Sequence, residues 1–433
     1  MIGFREDLGL DPTAVLSVAG EVNTPAFILE ERSVREKTAV AARVQRETGA
    51  HILFAMKPLG HWEALRWMMS GPDSLSGLAA SSLFEARLAR QAVGKRKCVS
   101  ITTPGLRADE IEEIATLCDH VVCNSLSQYA RFQTVNRETS LGLRVNPQYS
   151  LVKDSRYDPC RDGSKLGEPL ESVKQRWDAG DVLVRSLRGL HFHTNCDCET
   201  YTSLLRTVRR LHRTVGPLLS QLEWINLGGG YLFKREVDLT PLCEAVELLH
   251  KHYGMKVYLE PGAALVREAG YFVSSVIDLF ESDDGTVAVL DTTVNHMPEV
   301  FEYQFEPDIL EHVDDGPYEY TLAGSTCLSM DVFGVYCFTA PLTTGARVVF
   351  PNMGAYSMVK AHMFNGINLP SYYTLGQDGT LTLRQRFTYR DFLRTRGKGE
   401  KTHDRSRKGF SRSDHSQPPR STSVLHRGGD RGN

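Results

Sequence analysis

The feature that most constrains the fold of this chain is a regular alternation of short β-type runs and helical stretches. Helical stretches such as 61–70 and 82–93 show the hydrophobic spacing of amphipathic helices. Such alternation is typical of a parallel sheet with helices outside it, and eight units over roughly 210 residues fit a (β/α)8 TIM barrel. A doubly wound sheet shows the same alternation, so the barrel prediction depends on the count of eight. The eight β-type runs span 51–57, 74–81, 97–103, 120–125, 140–146, 186–194, 223–230 and 256–262.

A different pattern begins after Arg267, where β-rich runs follow one another with turn signals and little helix. This pattern is typical of an all-β domain, either a sandwich or a barrel. The run at 24–30 precedes the barrel and is a candidate first strand of that domain. We therefore predict four parts: a segment that completes the β domain (1–30), the barrel (31–265), a C-terminal all-β domain (266–392) and a basic disordered tail (393–433).

Composition excludes several classes of partner. The segment 393–433 is basic and poor in apolar residues, which favours disorder, and it lacks the interleaved aromatic residues of a nucleic-acid site. No apolar run approaches the roughly 18 residues that a bilayer-spanning helix needs. The N-terminus lacks the layout of a signal peptide. We expect a cytoplasmic protein that binds neither nucleic acid nor membrane.

The nine cysteines are irregularly spaced and odd in number, which does not resemble a disulfide framework. The one close pair, Cys196 and Cys198, has no second Cys or His cluster at the distance of a zinc site. We expect reduced thiols and no metal.

Polar residues stand at the C-terminal ends of the predicted strands, which is the face where such barrels carry their active sites. Lys57 ends the first strand in the run FAMKPL. A desolvated lysine amine has a lowered pKa and attacks aldehydes, but a lysine at a strand end can also simply reach solvent. The residue alone does not decide between these two readings.

Three further strand ends carry candidate groups. Gly228, Gly229 and Gly230 follow the seventh strand, where backbone N–H groups can approach a phosphate, although a tight turn also uses glycines. Glu260 ends the eighth strand and could keep a ring nitrogen protonated. His193, on the sixth strand, could stack on a flat cofactor or be an ordinary core histidine.

Two segments of the predicted β domain also contain reactive groups. Cys327 lies among small residues in AGSTCLSMD, where an accessible thiol could donate a proton. Tyr356, in NMGAYS, could donate its hydroxyl to a phosphate. Each could equally be a core residue, a buried thiol or a buried aromatic ring.

Together these motifs resemble the fold-type III pyridoxal-phosphate (PLP) decarboxylases, the alanine racemase-like group. The matching elements are FAMK, HFH, GGG, EPG, a G-x-x-C segment and MGAY, in that order, over 24 to about 390. Within the group the sequence is most similar to the carboxynorspermidine/carboxyspermidine decarboxylases. That similarity rests on SKLGEPL (164–170), HFHTNCD (191–197), NHMPEV (295–300) and STCLSMD (325–331).

The resemblance implies a cofactor site with PLP bound. It implies that Lys57 forms the Schiff base, that His193 stacks on the pyridine ring, and that Glu260 pairs with the ring nitrogen. The same resemblance assigns the phosphate to Gly228–Gly230 and Tyr356.

The resemblance also implies a substrate and a partner. Cys327 would act across the interface of a homodimer as the proton donor to the product, while Glu299 and Asp331 would bind the cationic amines of the substrate. The implied reaction is decarboxylation of carboxynorspermidine or carboxyspermidine to norspermidine or spermidine and CO2, a step of polyamine biosynthesis.

Two differences make the chain resemble ornithine and diaminopimelate decarboxylases less, and one residue departs from the pattern of the group that it resembles most. Ornithine and diaminopimelate decarboxylases typically have an acidic residue after the cysteine and an arginine after EPG, where this chain has Leu328 and Ala263. Glu299 replaces the usual aspartate. The alternatives are a related diaminopimelate, ornithine or arginine-type decarboxylase, or a non-catalytic PLP-binding regulatory homologue. A racemase is disfavoured because Tyr356 is assigned to the phosphate, and the regulatory alternative because Lys57 and Cys327 are both present.

Overall fold

The computed structural model describes residues 12–135, 138–152 and 154–397. The first elements are helix α1 (Thr13–Val18) and strand β1 (Ala26–Glu30). The tail predicted over 393–433 lies outside the described residues from 398 onward. None of the helices within the described ranges combines the length and apolarity that a bilayer crossing requires.

Eight parallel strands close into a barrel. The pairing of the first strand with the last, and of the fourth with the fifth, completes the ring. A two-residue strand, β7 (Glu168–Pro169), extends the end of the fifth barrel strand. The predicted (β/α)8 fold is therefore confirmed. The barrel strands are β2 (His51–Ala55), β3 (Gly77–Ala80), β4 (Cys98–Thr103), β5 (His120–Cys123), β6 (Ser140–Asn146), β8 (Gly189–His191), β9 (Trp224–Asn226) and β10 (Lys256–Leu259).

Helices surround the barrel and bury one apolar face each. One example is the helix over 202–219, which follows the sixth barrel strand. Four of its buried residues lie three or four positions apart on one side of the helix: Leu204, Val208, Leu211 and Val215. The barrel helices are α2 (Glu31–Thr48), α3 (Trp62–Met68), α4 (Leu83–Val93), α5 (Ile111–Leu117), α6 (Leu126–Gln133), α7 (Leu170–Asp178), α8 (Val182–Arg185), α9 (Thr202–Leu219) and α10 (Thr240–Tyr253).

The interior of the barrel is filled near the N-terminal ends of its strands by Trp224. A Cβ at Gly189 would lie 2.1 Å from the indole ring, and one at Gly142 would lie 2.4 Å from it. The indole nitrogen donates to Ser140 Oγ at 2.8 Å. Because the interior is packed at this end, the open end for a ligand is the C-terminal one.

The strands outside the barrel form one mixed sheet, made of β1 and the strands that follow residue 269. Their order is β14–β13–β12–β11–β1–β16–β17, with β15 paired to β11. Strand β1 lies inside this sheet, antiparallel to β11 and parallel to β16. Helix α11 (Glu299–Tyr303) interrupts the strands. The strands are β11 (Gly270–Ser282), β12 (Gly285–Leu290), β13 (Tyr318–Ala323), β14 (Val332–Phe338), β15 (Arg347–Phe350), β16 (Ser371–Leu375) and β17 (Leu381–Gln385).

Several predicted strands are longer than the observed ones. The run 186–194 contains only the three-residue strand β8, and the run 223–230 contains only β9, because the polar and glycine residues after them form loops at the barrel mouth. The last strand of the predicted β domain, β17, ends at Gln385, before the predicted end of that domain at 392. Residues after 388 belong to a separate unit, whose described helix is α12 (Tyr389–Thr395).

Candidate active site

Lys57 lies two residues beyond the end of β2, at the mouth of the barrel. The neighbouring Pro58 accepts a hydrogen bond from the backbone N–H of Tyr356 at 3.0 Å, and a Cβ at Gly262 would lie 3.0 Å from the Pro58 ring. The Lys57 side chain is accessible to solvent and makes no hydrogen bond or ion pair with the described residues. Its amine is therefore free to react.

The pKa of the Lys57 amine is lowered, chiefly because surrounding protein atoms displace water and secondly because the Arg144 cation is near. The carboxylates of Glu260 and Glu85 oppose this shift without cancelling it. A larger fraction of the amine is neutral at a given pH, and only the neutral amine is a nucleophile.

Glu260 follows β10 and is held in a polar network inside the barrel. Its side chain is 10% exposed; Oε1 accepts from Asn226 Nδ2 at 2.6 Å, and Oε2 lies 3.5 Å from His191 Nε2. Burial by itself would raise the pKa of Glu260, but His191, Asn226 and the nearby Arg144 outweigh it and lower the pKa. The carboxylate is thus an ionised acceptor in a largely dry site.

The glycine run after β9 is shaped by close packing. Gly228 and Gly230 have φ of 70° and 89°, and a Cβ at Gly229 would lie 2.0 Å from the carbonyl oxygen of Glu260. Side chains would therefore not fit here. The N–H of Gly228 donates to Asn226 Oδ1 at 2.9 Å, and that of Gly229 donates to His193 Nδ1 at 3.1 Å.

These bonds limit which amides of the predicted glycine run, Gly228–Gly230, could donate to a phosphate. Two of the three N–H groups already donate to protein acceptors, so Gly230 alone is left with its amide available in the described part of the chain. The bond to His193 also fixes that ring. Because Nδ1 accepts, the proton of the neutral ring is on Nε2, and burial lowers the pKa of His193 well below its usual value.

Tyr356 approaches Lys57 from the mixed sheet. The Lys57 Nζ lies 5.9 Å from the centroid of the Tyr356 ring, and Tyr356 itself has a φ of 62°. Burial raises the pKa of its hydroxyl, with Glu299 and Cys196 adding to the effect. The hydroxyl therefore stays protonated and can act as a donor.

Glu299 begins α11 and is already paired with a lysine. Lys360 Nζ lies 3.2 Å from Glu299 Oε1 and also contacts Glu302. The same ammonium is 5.5 Å from the Tyr303 ring centroid and 5.8 Å from that of Tyr356. Burial raises the pKa of Glu299, although Lys360 opposes it. Carboxylates and aromatic faces together are the surroundings that bind ammonium groups.

Asp331 is not placed as expected for a residue that binds substrate. Its side chain is 3% exposed; Oδ1 accepts from the N–H of Val294 at 2.8 Å, and Oδ2 accepts from the N–H and the hydroxyl of Thr326. A Cβ at Gly324 would lie 2.2 Å from this carboxylate. Because both oxygens are used, Asp331 fixes the loop that carries Cys327 and is not free to bind an amine.

Cys327 itself is exposed, and no contact within the described residues joins it to Lys57. The neighbouring Met330 is 54% exposed, and Val332 and Val335 on the edge strand β14 are 37% and 48% exposed. The thiol therefore lies at an exposed position, a few residues before the exposed apolar side chains of Met330, Val332 and Val335.

Three polar residues outside the predicted set of site residues also belong to the site. Arg144, at the end region of β6, is 9% exposed and lies close enough to Lys57 and Glu260 to change their pKa values. Asn226 and His191 hold Glu260. The sequence feature that indicates Arg144, Asn226 and His191 is that each is a polar residue near the C-terminal end of a barrel strand. No cluster of three or more possible metal ligands occurs among the described residues.

Comparisons with known proteins agree with this geometry. Residues 31–273 match the family described as the pyridoxal binding domain of pyridoxal-dependent decarboxylases. The chain is 34% identical over 376 residues to the carboxyaminopropylagmatine decarboxylase of Synechocystis sp., covering 85% of this chain and 94% of that protein. It is 33% identical over 387 residues to the carboxynorspermidine/carboxyspermidine decarboxylase of Campylobacter jejuni, covering 86% and 98%.

Solved structures give the same picture. The crystal structure of carboxynorspermidine decarboxylase from Campylobacter jejuni, complexed with norspermidine, superposes with a TM-score of 0.76 at 32% identity, and covers 86% of this chain and 100% of that one. A diaminopimelate decarboxylase from Helicobacter pylori also reaches a TM-score of 0.76, but at 17% identity, so it shows the shared fold alone.

Proposed function

Since this chain belongs to the family of pyridoxal-dependent decarboxylases, we propose that its barrel mouth binds PLP and decarboxylates carboxynorspermidine or carboxyspermidine. The observation that carries this proposal is that two groups follow the neighbouring strands β2 and β10: the Lys57 amine, whose pKa is lowered and which forms no ion pair with the described residues, and the buried, ionised Glu260 carboxylate. The relatives named above, at 33% and 34% identity over most of their length, support the substrate class.

The residues present fit PLP. The unpaired Lys57 amine suits an aldehyde, and the ionised Glu260 suits a protonated ring nitrogen. Among the described residues the N–H of Gly230 donates to no protein acceptor, so this amide is a candidate donor to a phosphate. His193, whose ring is fixed by Gly229, offers a flat face to the pyridine.

In the proposed reaction PLP supplies an electron sink for the electrons of the broken Cα–carboxylate bond. The residues of the chain do the rest. Glu260 would pair with the ring nitrogen and keep it protonated. Lys57 would hold the cofactor through its amine. His193, whose lowered pKa keeps it neutral, would lie against the ring without adding positive charge.

The function is tested by incubating the purified full-length protein and PLP with four substrates separately. We expect CO2 and a triamine from carboxynorspermidine or carboxyspermidine. Carboxyaminopropylagmatine is the second candidate, because a relative that acts on it is 34% identical to this chain. Turnover of meso-diaminopimelate alone would contradict the proposed substrate class, and no turnover of any of the four would contradict the proposed activity.

We further propose a homodimer in which the Cys327 loop of one subunit completes the site of the other. The support is that Cys327 is exposed and precedes the exposed apolar residues Met330, Val332 and Val335, and that no contact among the described residues joins it to Lys57. Thiols left free at exposed positions such as Cys196 and Cys327 also suit the reducing cytoplasm, which is where we place the reaction.

Mixing two inactive variants tests the shared site. Lys57→Ala and Cys327→Ala homodimers should each lose most activity, whereas a 1:1 mixture that has exchanged subunits should recover about a quarter of wild-type activity. The reason is that half of the dimers are then mixed, and twofold symmetry leaves one intact site in each. Recovery is measured as turnover after exchange. No recovery, with exchange demonstrated by a size or tag assay, would show that each site lies within one chain.

Glu299 is expected to bind a cationic group of the substrate. Glu299→Gln should raise KM for the carboxylated triamine by about tenfold with little change in kcat, because one charge-assisted contact is lost. Glu302→Gln is the matched control: it contacts the same Lys360 but is more exposed, at 44% against 27%, and should change KM less. Equal effects of the two substitutions would contradict a substrate contact by Glu299.

The same residue predicts a pH dependence. Because burial raises the pKa of Glu299, protonation removes its charge at a higher pH than for an ordinary glutamate. KM of the wild type should therefore rise as pH falls through this raised pKa, and the rise should be absent in Glu299→Gln. The measurement is KM against pH for both proteins.

A further inference from the structure

The proposed phosphate end of the cofactor site lacks an arginine directly after EPG, where this chain has Ala263. Two of the three amides of the glycine run are also engaged with protein acceptors. A phosphate dianion in such a place needs a compensating cation. Among the described residues, one such cation occurs near Tyr356 and the segment that packs on Gly230.

Arg267 lies at this position. Its guanidinium Nη2 lies 3.0 Å from one carboxylate oxygen of Asp197 and 3.2 Å from the other. Asp197 is close to the glycine run, because the N–H of Cys198, the next residue, donates to the carbonyl of Gly230 at 2.7 Å. The segment that carries Asp197 therefore packs against the backbone of Gly230.

The backbone of Arg267 is fixed to the segment that leads into Tyr356. Its carbonyl accepts a hydrogen bond from the N–H of Gly354 at 3.0 Å, and a Cβ at Gly354 would lie 1.8 Å from the carbonyl oxygen of Val266. Arg267 is near enough to Tyr356 to influence the pKa of its hydroxyl. The backbone of Arg267 is thus joined to the segment of Tyr356, while its guanidinium is joined to Asp197.

The other cations near the site, Arg144 and Lys360, lie close to other groups. Arg144 lies near Glu260 and the two histidines of the HFH motif, at the ring end. Lys360 is paired with Glu299 and Glu302. Within the described ranges Arg267 forms an ion pair with one carboxylate, that of Asp197. The Arg267 side chain is 27% exposed and that of Asp197 is 50% exposed, so the pair can rearrange at modest cost.

We propose that Arg267 supplies the positive charge for the cofactor phosphate in this chain, in place of an arginine at position 263. When the phosphate binds, the Arg267 guanidinium either contacts both Asp197 and the phosphate or leaves Asp197 for the phosphate. This proposal rests on the cofactor placement given above. It makes Arg267 a cofactor-binding residue and Asp197 a residue that opposes phosphate binding, because a carboxylate beside the dianion repels it.

The test compares PLP with pyridoxal, which has the same ring and aldehyde but no phosphate. Full-length protein stripped of cofactor is titrated with each, and the dissociation constants are read from the absorption band of the bound form. Arg267→Met should weaken PLP by about 10- to 100-fold, the loss typical of a hydrogen bond between charged groups, and leave pyridoxal unchanged. Arg267→Lys should restore part of the PLP affinity. Asp197→Asn should bind PLP as tightly as the wild type or more tightly.

The controls separate the possible outcomes. Arg188→Met removes an arginine that is paired with Glu223 before β8, at the other end of the barrel, and should change neither affinity. If Arg267→Met and Asp197→Asn weakened PLP and pyridoxal equally, the pair would be a structural tie and the proposal would be overturned. An unchanged PLP affinity in Arg267→Met would overturn it as well. A wild type that bound neither compound would instead contradict the cofactor site itself.

Discussion

Lys57→Ala is expected to abolish the absorption band of the bound cofactor and to lower the decarboxylation rate by about three orders of magnitude or more, the size of loss seen when a covalent catalytic group is removed. The reason is physical: the amine at the mouth of the barrel is unpaired, and displaced water and the Arg144 cation lower its pKa. Alanine leaves no nucleophile for the aldehyde. The two measurements are the absorbance spectrum after PLP loading and the rate of CO2 release.

A lysine at the opposite end of the barrel provides the matched control. Lys256 is the exposed first residue of β10, so Lys256→Ala should keep both the band and the activity. Circular dichroism should show that both variants are folded. A Lys57→Ala protein that kept the band would mean that another amine carries the cofactor, and the placement of the site would then be wrong.

The barrel could be predicted because its evidence is local and repeated. Each strand appears in the sequence as a short β-type run, and each helix appears as apolar residues with a 3.6-residue period. A count of eight such units predicts a closed barrel. The closure in turn brings Lys57 beside Glu260, since β2 and β10 are neighbours although about two hundred residues separate them in sequence. Strand boundaries were less predictable, because the glycine and polar residues after β8 and β9 extend the pattern without pairing.

The polar network within the site was much harder to predict. Asn226 holds Glu260 and Gly228 at once, but an asparagine at a strand end has the same appearance in sequence whether it binds protein or ligand. Asp331 illustrates the opposite case: a carboxylate near a reactive cysteine suggests substrate binding, yet its oxygens accept from Val294 and Thr326. Only three-dimensional contacts distinguish a carboxylate that accepts hydrogen bonds from its own loop from a carboxylate that is available to bind a ligand.

Glu260→Gln is the second substitution for which we expect a large effect. Glutamine has nearly the same shape and can still accept from Asn226, so the fold and cofactor attachment through Lys57 should persist. What is lost is a buried negative charge whose pKa is kept low by His191 and Asn226 against the effect of burial. Without that charge the ring nitrogen is less readily protonated, and kcat should fall by about 10²- to 10³-fold, as when a preorganised electrostatic group is removed.

The comparison of spectrum and rate makes this prediction specific. Glu260→Gln should keep an absorption band, shifted by the altered protonation of the ring, while Lys57→Ala should have none. Glu223→Gln, which removes an exposed carboxylate paired with Arg188 at the other end of the barrel, should change neither quantity. Because the pKa of Glu260 is lowered, the wild type should keep this charge throughout the neutral range and lose it only in acid. If Glu260→Gln retained wild-type kcat, the carboxylate would not be the partner of the ring nitrogen, whatever its place in the barrel.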